Sequence, residues 1–314
     1  MQLIAEAGLL RYLVRMNASI NLIQLVLPAT VAVKADVPET HPSAQILGTQ
    51  RLGSGVIIDS AGLVLTVNYI VLGAQSVEVS LLDDTTVPAK IAAQDFSSGI
   101  AVIDIGGKVP SALSLCPASE LTLGQEIFIA AATGENKRRA SNGAITSLAC
   151  FDAYWEYALE RAITTSAMNP GLGGAPLLDM RGRVAGVVSL DLGEVGRFTL
   201  AIPVDYYMEH REELLRHGRR TTQPLRAWVG LYCYTFRQHV VIAGVLPGAP
   251  AEQAGLKPGD VVLTVNGQQI QDRHQLYTSL WAHRPGELIN FRIFRNNEIK
   301  QIAVASTNAE EFFA

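Results

Sequence analysis

The rhythm of hydrophobic and polar positions changes several times along this 314-residue chain. Over residues 6–27, Leu9, Leu10, Leu13 and Val14 fall at roughly helical spacing, which predicts a short amphipathic helix before Pro28. From residue 30 to about 204 the texture is different. Short β-branched runs recur between turn signals: TVAVKA, SVEVSLLDD, IAVIDI, EIFIAAA, GAITSLA, VAGVVSLDL and RFTLAIP. Many short strands with few helical stretches point to an antiparallel barrel or sandwich, and two six-stranded barrels account for the length. Residues 205–222 turn to charged helix formers that stop near Gly218, ahead of Pro224. Short strands then return from about Arg226, with one helical stretch, DRHQLYTSLWAH. The expected layout is a helical segment over 1–28, a double barrel over 29–208, a helix end and linker over 209–225, a small domain over 226–307 and a tail over 308–314.

Composition removes several function classes. A net charge of −4 supplies no basic face for a phosphate backbone, so nucleic acid is not an expected partner. The clusters Lys137-Arg138-Arg139 and Arg216–Arg220 are expected to be solvated loop or helix-end charge. The most apolar run, LIQLVLPATVAV (22–33), is too short to span a bilayer and contains Pro28. Cys116, Cys150 and Cys233 are widely spaced with no CxxC pair. They predict neither zinc nor a disulfide framework and are expected to be small buried hydrophobes. No cofactor or metal is expected.

The segment AGVLPGAPAEQAGLKPGDVVLTVNGQQIQD (243–272) carries the most specific signature. Pro250–Ala254 predicts a short helix ended by Gly255, and Asn266-Gly267 predicts a tight hairpin turn. Over roughly eighty residues the segment resembles PDZ domains. That resemblance implies a loop whose backbone N–H groups capture a peptide's C-terminal carboxylate while the peptide adds a strand to the sheet edge. The matching loop is Trp228-Val229-Gly230-Leu231. The helix facing the groove falls at 272–283, with Leu276 and Leu280 expected to line a side-chain pocket.

Ahead of this module stand LGSGVIIDSAGLVLTVNYIV, GIAVIDI, ITTSAMNPGLGGAPLLDMRGRVAGVVS and FTLAIPVD, in that order. Together with the PDZ segment they resemble the HtrA (Deg) family, trypsin-like serine proteases with a C-terminal PDZ module that often form trimers. The resemblance places Tyr69 where the family's histidine belongs, Gly99 at its aspartate and Gly173 at its serine. A serine hydroxyl needs a positioned base to become nucleophilic near neutral pH. The six histidines, His41, His210, His217, His239, His274 and His283, leave none between residues 42 and 209. On these grounds the expectation is a chain that is not an enzyme, with Gly171, Leu172 and Gly173 retained as an oxyanion-type loop or simply as a turn. The aromatic stretch CFDAYWEYALE, with Phe151, Tyr154, Trp155 and Tyr157, stands where the family carries a mobile sensor loop. Its alternatives are an interface and a short helix packed on its own barrel.

Three functions stay open: a non-catalytic scaffold or chaperone-like subunit that binds peptide or protein C-termini, a serine endopeptidase with a relocated active site, and a purely structural subunit of a larger assembly. The resemblance implies a homotrimer. Glu6 and Arg11 interrupt the apolar core that a secretory signal needs. With Met1 as its true start the chain would be cytoplasmic; with a leader removed, the resemblance implies the periplasm.

Overall fold

The computed structural model describes residues 20–107, 109, 111–193 and 196–314. The helix expected over 6–27 lies mostly outside these residues; its described part, 20–26, is helical and leads into the 3-10 turn Leu27–Ala29. The described strands form two closed six-stranded antiparallel barrels followed by a third sheet. The first barrel comprises β1 (Thr30–Asp36), β2 (Gln50–Ile57), β3 (Leu63–Val67), β4 (Ser76–Ser80), β5 (Thr86–Asp95) and β6 (Ile100–Asp104), in the order β1-β2-β3-β6-β5-β4. Val31, Val33, Val56, Leu65, Val79 and Ile103 fill it without measurable exposure. The second barrel comprises β7 (Glu126–Ala132), β8 (Arg138–Asp152), β9 (Ala158–Thr165), β10 (Pro176–Asp179), β11 (Val184–Asp191) and β12 (Thr199–Pro203), in the order β10-β11-β12-β9-β8-β7. Closure removes the unpaired edges an open sheet would present.

Polar side chains tie one barrel to the other. Ser54 on β2 donates its hydroxyl to Leu172 O and accepts from the N–H of Ala132 on β7, both at 2.9 Å. Arg138 on β8 crosses the other way, donating to Thr30 O and Ser80 O at 2.8 Å each. Its expected place among solvated charges is therefore wrong: strand β8 starts at this residue and carries the guanidinium onto free carbonyls of the first barrel. Cys150 also departs from expectation. Cys116 and Cys233 are buried, but Cys150 is exposed on the far end of the long β8, most of which faces away from the core.

The third sheet contains β13 (Leu231–Phe236), β14 (His239–Val245), β15 (Val261–Val265), β16 (Gln268–Gln269), β17 (Leu288–Arg295) and β18 (Glu298–Ala305). Asn266-Gly267 turns β15 into β16, and the helix Arg273–Trp281 packs over the sheet. Asp272 caps that helix by accepting the Gln275 N–H at 2.8 Å. Near the end of the chain comes a short helix, Ala309–Phe312; Phe312 and the following Phe313 pack on Trp228. Among the described residues, no helix is long and apolar enough to cross a membrane, and no cluster of potential metal ligands occurs.

Candidate functional site

Two of the three positions singled out in the barrels meet directly. Tyr69 lies in the one-turn helix Asn68–Val71 that follows β3, and Gly173 lies in the loop before β10. A Cβ on Gly173 would stand 2.0 Å from the Tyr69 hydroxyl, so the phenol occupies the space a side chain at 173 would need. The hydroxyl donates to Ser189 O at 3.0 Å. Burial, with Asp191 nearby, pushes its pKa up to about 12, so the hydroxyl stays protonated near neutral pH and offers no basic form to take a proton. Gly99 precedes β6 and accepts the Asn68 N–H at 2.7 Å; the Tyr157 hydroxyl donates to the adjacent Ser98 O at 2.6 Å.

The glycine-rich loop is fastened to both barrels. Ser54 N–H donates to Gly173 O, and Gly174 N–H donates to Val188 O at 2.7 Å. The N–H of Gly171 goes to Asn169 Oδ1 and that of Leu172 to Ala132 O, so both point at internal acceptors in this conformation. Gly173→Ser is expected to destabilise the chain by about 1–3 kcal/mol, because the tyrosine must swing off Ser189 O to admit the new side chain. In a Tyr69→Phe background the same change should cost less, since the colliding oxygen is gone. Urea unfolding of the four-member cycle measures this coupling; strictly additive effects would mean the two sites do not touch.

The second site is built by the 228–231 loop. The N–H groups of Val229, Gly230 and Leu231 converge on one carboxylate, that of Glu156, at 3.1, 2.6 and 3.0 Å. Gly230 has φ +81, and a Cβ there would approach Ala249 Cβ to 2.4 Å. Glycine is what lets the backbone curl around the anion. Trp228 pairs with Thr307 and packs, tilted and edge-on, against Phe312 and Phe313. Leu276 and Leu280 are fully buried in the core of the third sheet and its helix.

The stretch 150–160 is not a helix. It is the end of β8, a connection and the start of β9. Phe151 and Tyr157 pack on the barrel core, whereas Trp155 bridges to Tyr232 and Tyr154 lies beneath the Arg273 guanidinium, 4.5 Å from its ring centre. The stretch therefore serves both its own barrel and the contact with the third sheet. Glu156, between these aromatics, was not singled out from the sequence. Its partners lie more than seventy residues away, and no local pattern marks it.

Residues 53–187 match the trypsin-like peptidase domain family, and residues 215–305 match the PDZ domain family. Two curated relatives, each named a probable periplasmic serine endoprotease DegP-like, come from Hahella chejuensis and Ectopseudomonas mendocina. The first is 28% identical over 270 residues, covering 81% of this chain and 56% of the relative. The second is 27% identical over 282 residues, covering 84% and 58%. The chain thus spans little more than half the length of the curated relatives it matches. Among solved structures, an HtrA-type protease AlgW with tripeptide superposes with a TM-score of 0.56 at 24% identity, covering 92% of this chain and 96% of that one. The serine endoprotease from Yersinia pestis gives 0.52 at 22%, covering 91% and 96%.

These comparisons overturn the expectation that the chain is not an enzyme: the matching domain is a peptidase domain, and the relatives are named endoproteases. This chain thus carries a trypsin-like peptidase domain followed by a PDZ domain, and along most of its length it is similar to DegP-like and HtrA-type proteases.

Proposed function

We propose that this protein recognises the free C-termini of peptides and proteins through its PDZ domain. The observation that supports this most is the convergence of three backbone N–H groups, from Val229, Gly230 and Leu231, on a single carboxylate. A C-terminal carboxylate offers the same two oxygens, and the strand that precedes it can add to β13. Affinities for single peptides of this kind are on the order of micromolar, about −8 kcal/mol. An oligomer, the trimer implied by the family resemblance, would raise them through avidity. The periplasm named for the relatives is the setting we take for it.

Calorimetry of the full chain with a C-terminal peptide library tests the reading. Free acids with an apolar last residue should bind, amidated versions should not, and Gly230→Val should abolish binding. Lys300→Ala, at an exposed pair with Glu298, should change nothing. Equal binding of acids and amides would remove carboxylate capture.

Serine endopeptidase activity is a second reading, favoured by the peptidase-domain match and the relatives' names. Gly173 carries no hydroxyl, so the nucleophile would come from another position. Thr165 and Ser166, nearest in sequence, both direct their hydroxyls to Ala144 O. Fluorophosphonate labelling with casein hydrolysis decides it: a labelled residue identifies the nucleophile, and an unlabelled chain that leaves casein intact removes the reading.

A further inference from the structure

The groove of the PDZ domain is already filled, and by this chain. Residues 152–156 run beside β13, with Trp155 paired antiparallel to Tyr232. Tyr154 O accepts the Cys233 N–H at 2.6 Å, as a strand added to the sheet edge would. From the other side, the helix Arg273–Trp281 supplies Tyr277, whose hydroxyl donates to Ala153 O at 2.8 Å. His274 Nδ1 lies 3.2 Å from Asp152 Oδ1. Two residues past Tyr154, the Glu156 side chain delivers its carboxylate to the three N–H groups of the capture loop. This is the arrangement of an extended peptide ending at Glu156, except that the chain continues. A side-chain carboxylate is what allows the main chain to leave toward β9.

We infer that residues 152–156 are a built-in pseudo-ligand, in which Glu156 stands in for a C-terminal carboxylate and holds the peptide groove closed until a free C-terminus displaces it. The inference rests on the peptide-recognition reading above. Several independent contacts carry it: the carboxylate, the strand-like pairing and the helix side chains all meet one five-residue segment. A competitor tethered in this way acts at an effective concentration on the order of millimolar. An incoming peptide therefore binds with its intrinsic affinity reduced by the fraction of molecules whose groove is open.

The closure should respond to pH. Burial pushes Glu156 up to about 7, against the opposing pull of the three N–H donors. The charged groups around it are Arg220, Arg226 and Glu310, which line the same small cavity of about 90 Å³, and Arg273 on the groove helix. Cys233 and Tyr277 also lie near it, and burial raises both above their ordinary ranges, so they stay neutral near pH 7. A carboxyl whose pKa is higher docked than free favours docking below its free value, near ~4.3, and loses that stabilisation as pH rises through about 7. Peptide affinity of the wild type should then rise by about tenfold between pH 6 and pH 8.5.

The test uses the full chain, a free-acid peptide ending in an apolar residue, and Glu156→Ala and Glu156→Gln variants. Glu156→Ala should bind the peptide at least about tenfold tighter than the wild type at pH 6. Glu156→Gln, which keeps an acceptor oxygen but cannot titrate, should lose the pH dependence. Without any peptide, hydrogen exchange at the 229–231 amides should be slow in the wild type and at least about tenfold faster in Glu156→Ala. Unchanged exchange overturns the pseudo-ligand. So does equal peptide affinity in wild type and Glu156→Ala, while leaving the recognition reading intact. If neither protein binds free acids, the recognition reading falls, and with it the competition.

Discussion

Gly174→Ala is expected to lower the stability of the chain by about 3–5 kcal/mol, through two effects that add. Gly174 has φ +88, a left-handed conformation that costs a residue with a Cβ about 1–3 kcal/mol. The added methyl would also lie 2.1 Å from Ser54 O and 2.5 Å from Thr66 Oγ1. Neither neighbour can retreat. Ser54 sits in β2, paired with Ala32 of β1, and its carbonyl accepts the Thr66 hydroxyl at 2.8 Å. The collision is therefore with backbone in the middle of a closed barrel, and it reaches the loop through Gly173 O, which the Ser54 N–H holds. Gly193→Ala is the control: among the described residues nothing lies within 4 Å of its Cβ, and its effect should stay within about 0.5 kcal/mol. Urea denaturation followed by circular dichroism measures both. A Gly174→Ala chain as stable as the control would mean that the loop repacks freely.

Asp260→Ala should cost about 3–5 kcal/mol and do so in the PDZ domain. Asp260 is fully buried and takes Arg295 on both oxygens, Nε at 2.5 Å and an Nη at 2.6 Å. It also accepts the Lys257 N–H at 2.9 Å, while Arg295 reaches on to Gly255 O. Removing the carboxylate leaves a guanidinium and an N–H facing a pocket shaped for an anion. Arg295→Met in the same chain should recover part of the loss, because the stranded charge is gone. The core of the third sheet is a separate cluster from those of the barrels. Calorimetry should therefore show a lowered PDZ transition beside an unchanged barrel transition. A uniform shift of a single transition would mean that the domains unfold as one unit.

The barrels were legible wherever a strand is buried along most of its length. IAVID, EIFIAAA and TLAIP are solidly apolar runs, and they became β6, β7 and β12. β5 left no apolar run, because its first half alternates exposed and partly buried positions around Pro88. β10 is only four residues long and begins with a proline behind a glycine-rich loop, and it hides in the turn signal. The PDZ domain was legible because its signature is local: Asn266-Gly267 makes its hairpin from adjacent residues. The family resemblance set Tyr69 and Gly173 at the histidine and serine positions; that the phenol fills the space beside Gly173 came only from the structure. Glu156 was illegible for a physical reason, since its meaning comes entirely from a loop seventy-odd residues downstream.

The seam between the barrels and the PDZ domain has a spectroscopic consequence. All three tryptophans of the chain stand on it: Trp155 pairs with Tyr232, while Trp228 and Trp281 line the small cavity that Phe96, Ser97 and Glu156 also line. Neither barrel interior contains an indole. Intrinsic emission therefore reports the docking of one domain on the other, while far-ultraviolet ellipticity is dominated by the strands. Undocking would register as a change in colour at constant ellipticity, so the unmodified chain carries its own optical gauge of whether its domains are together.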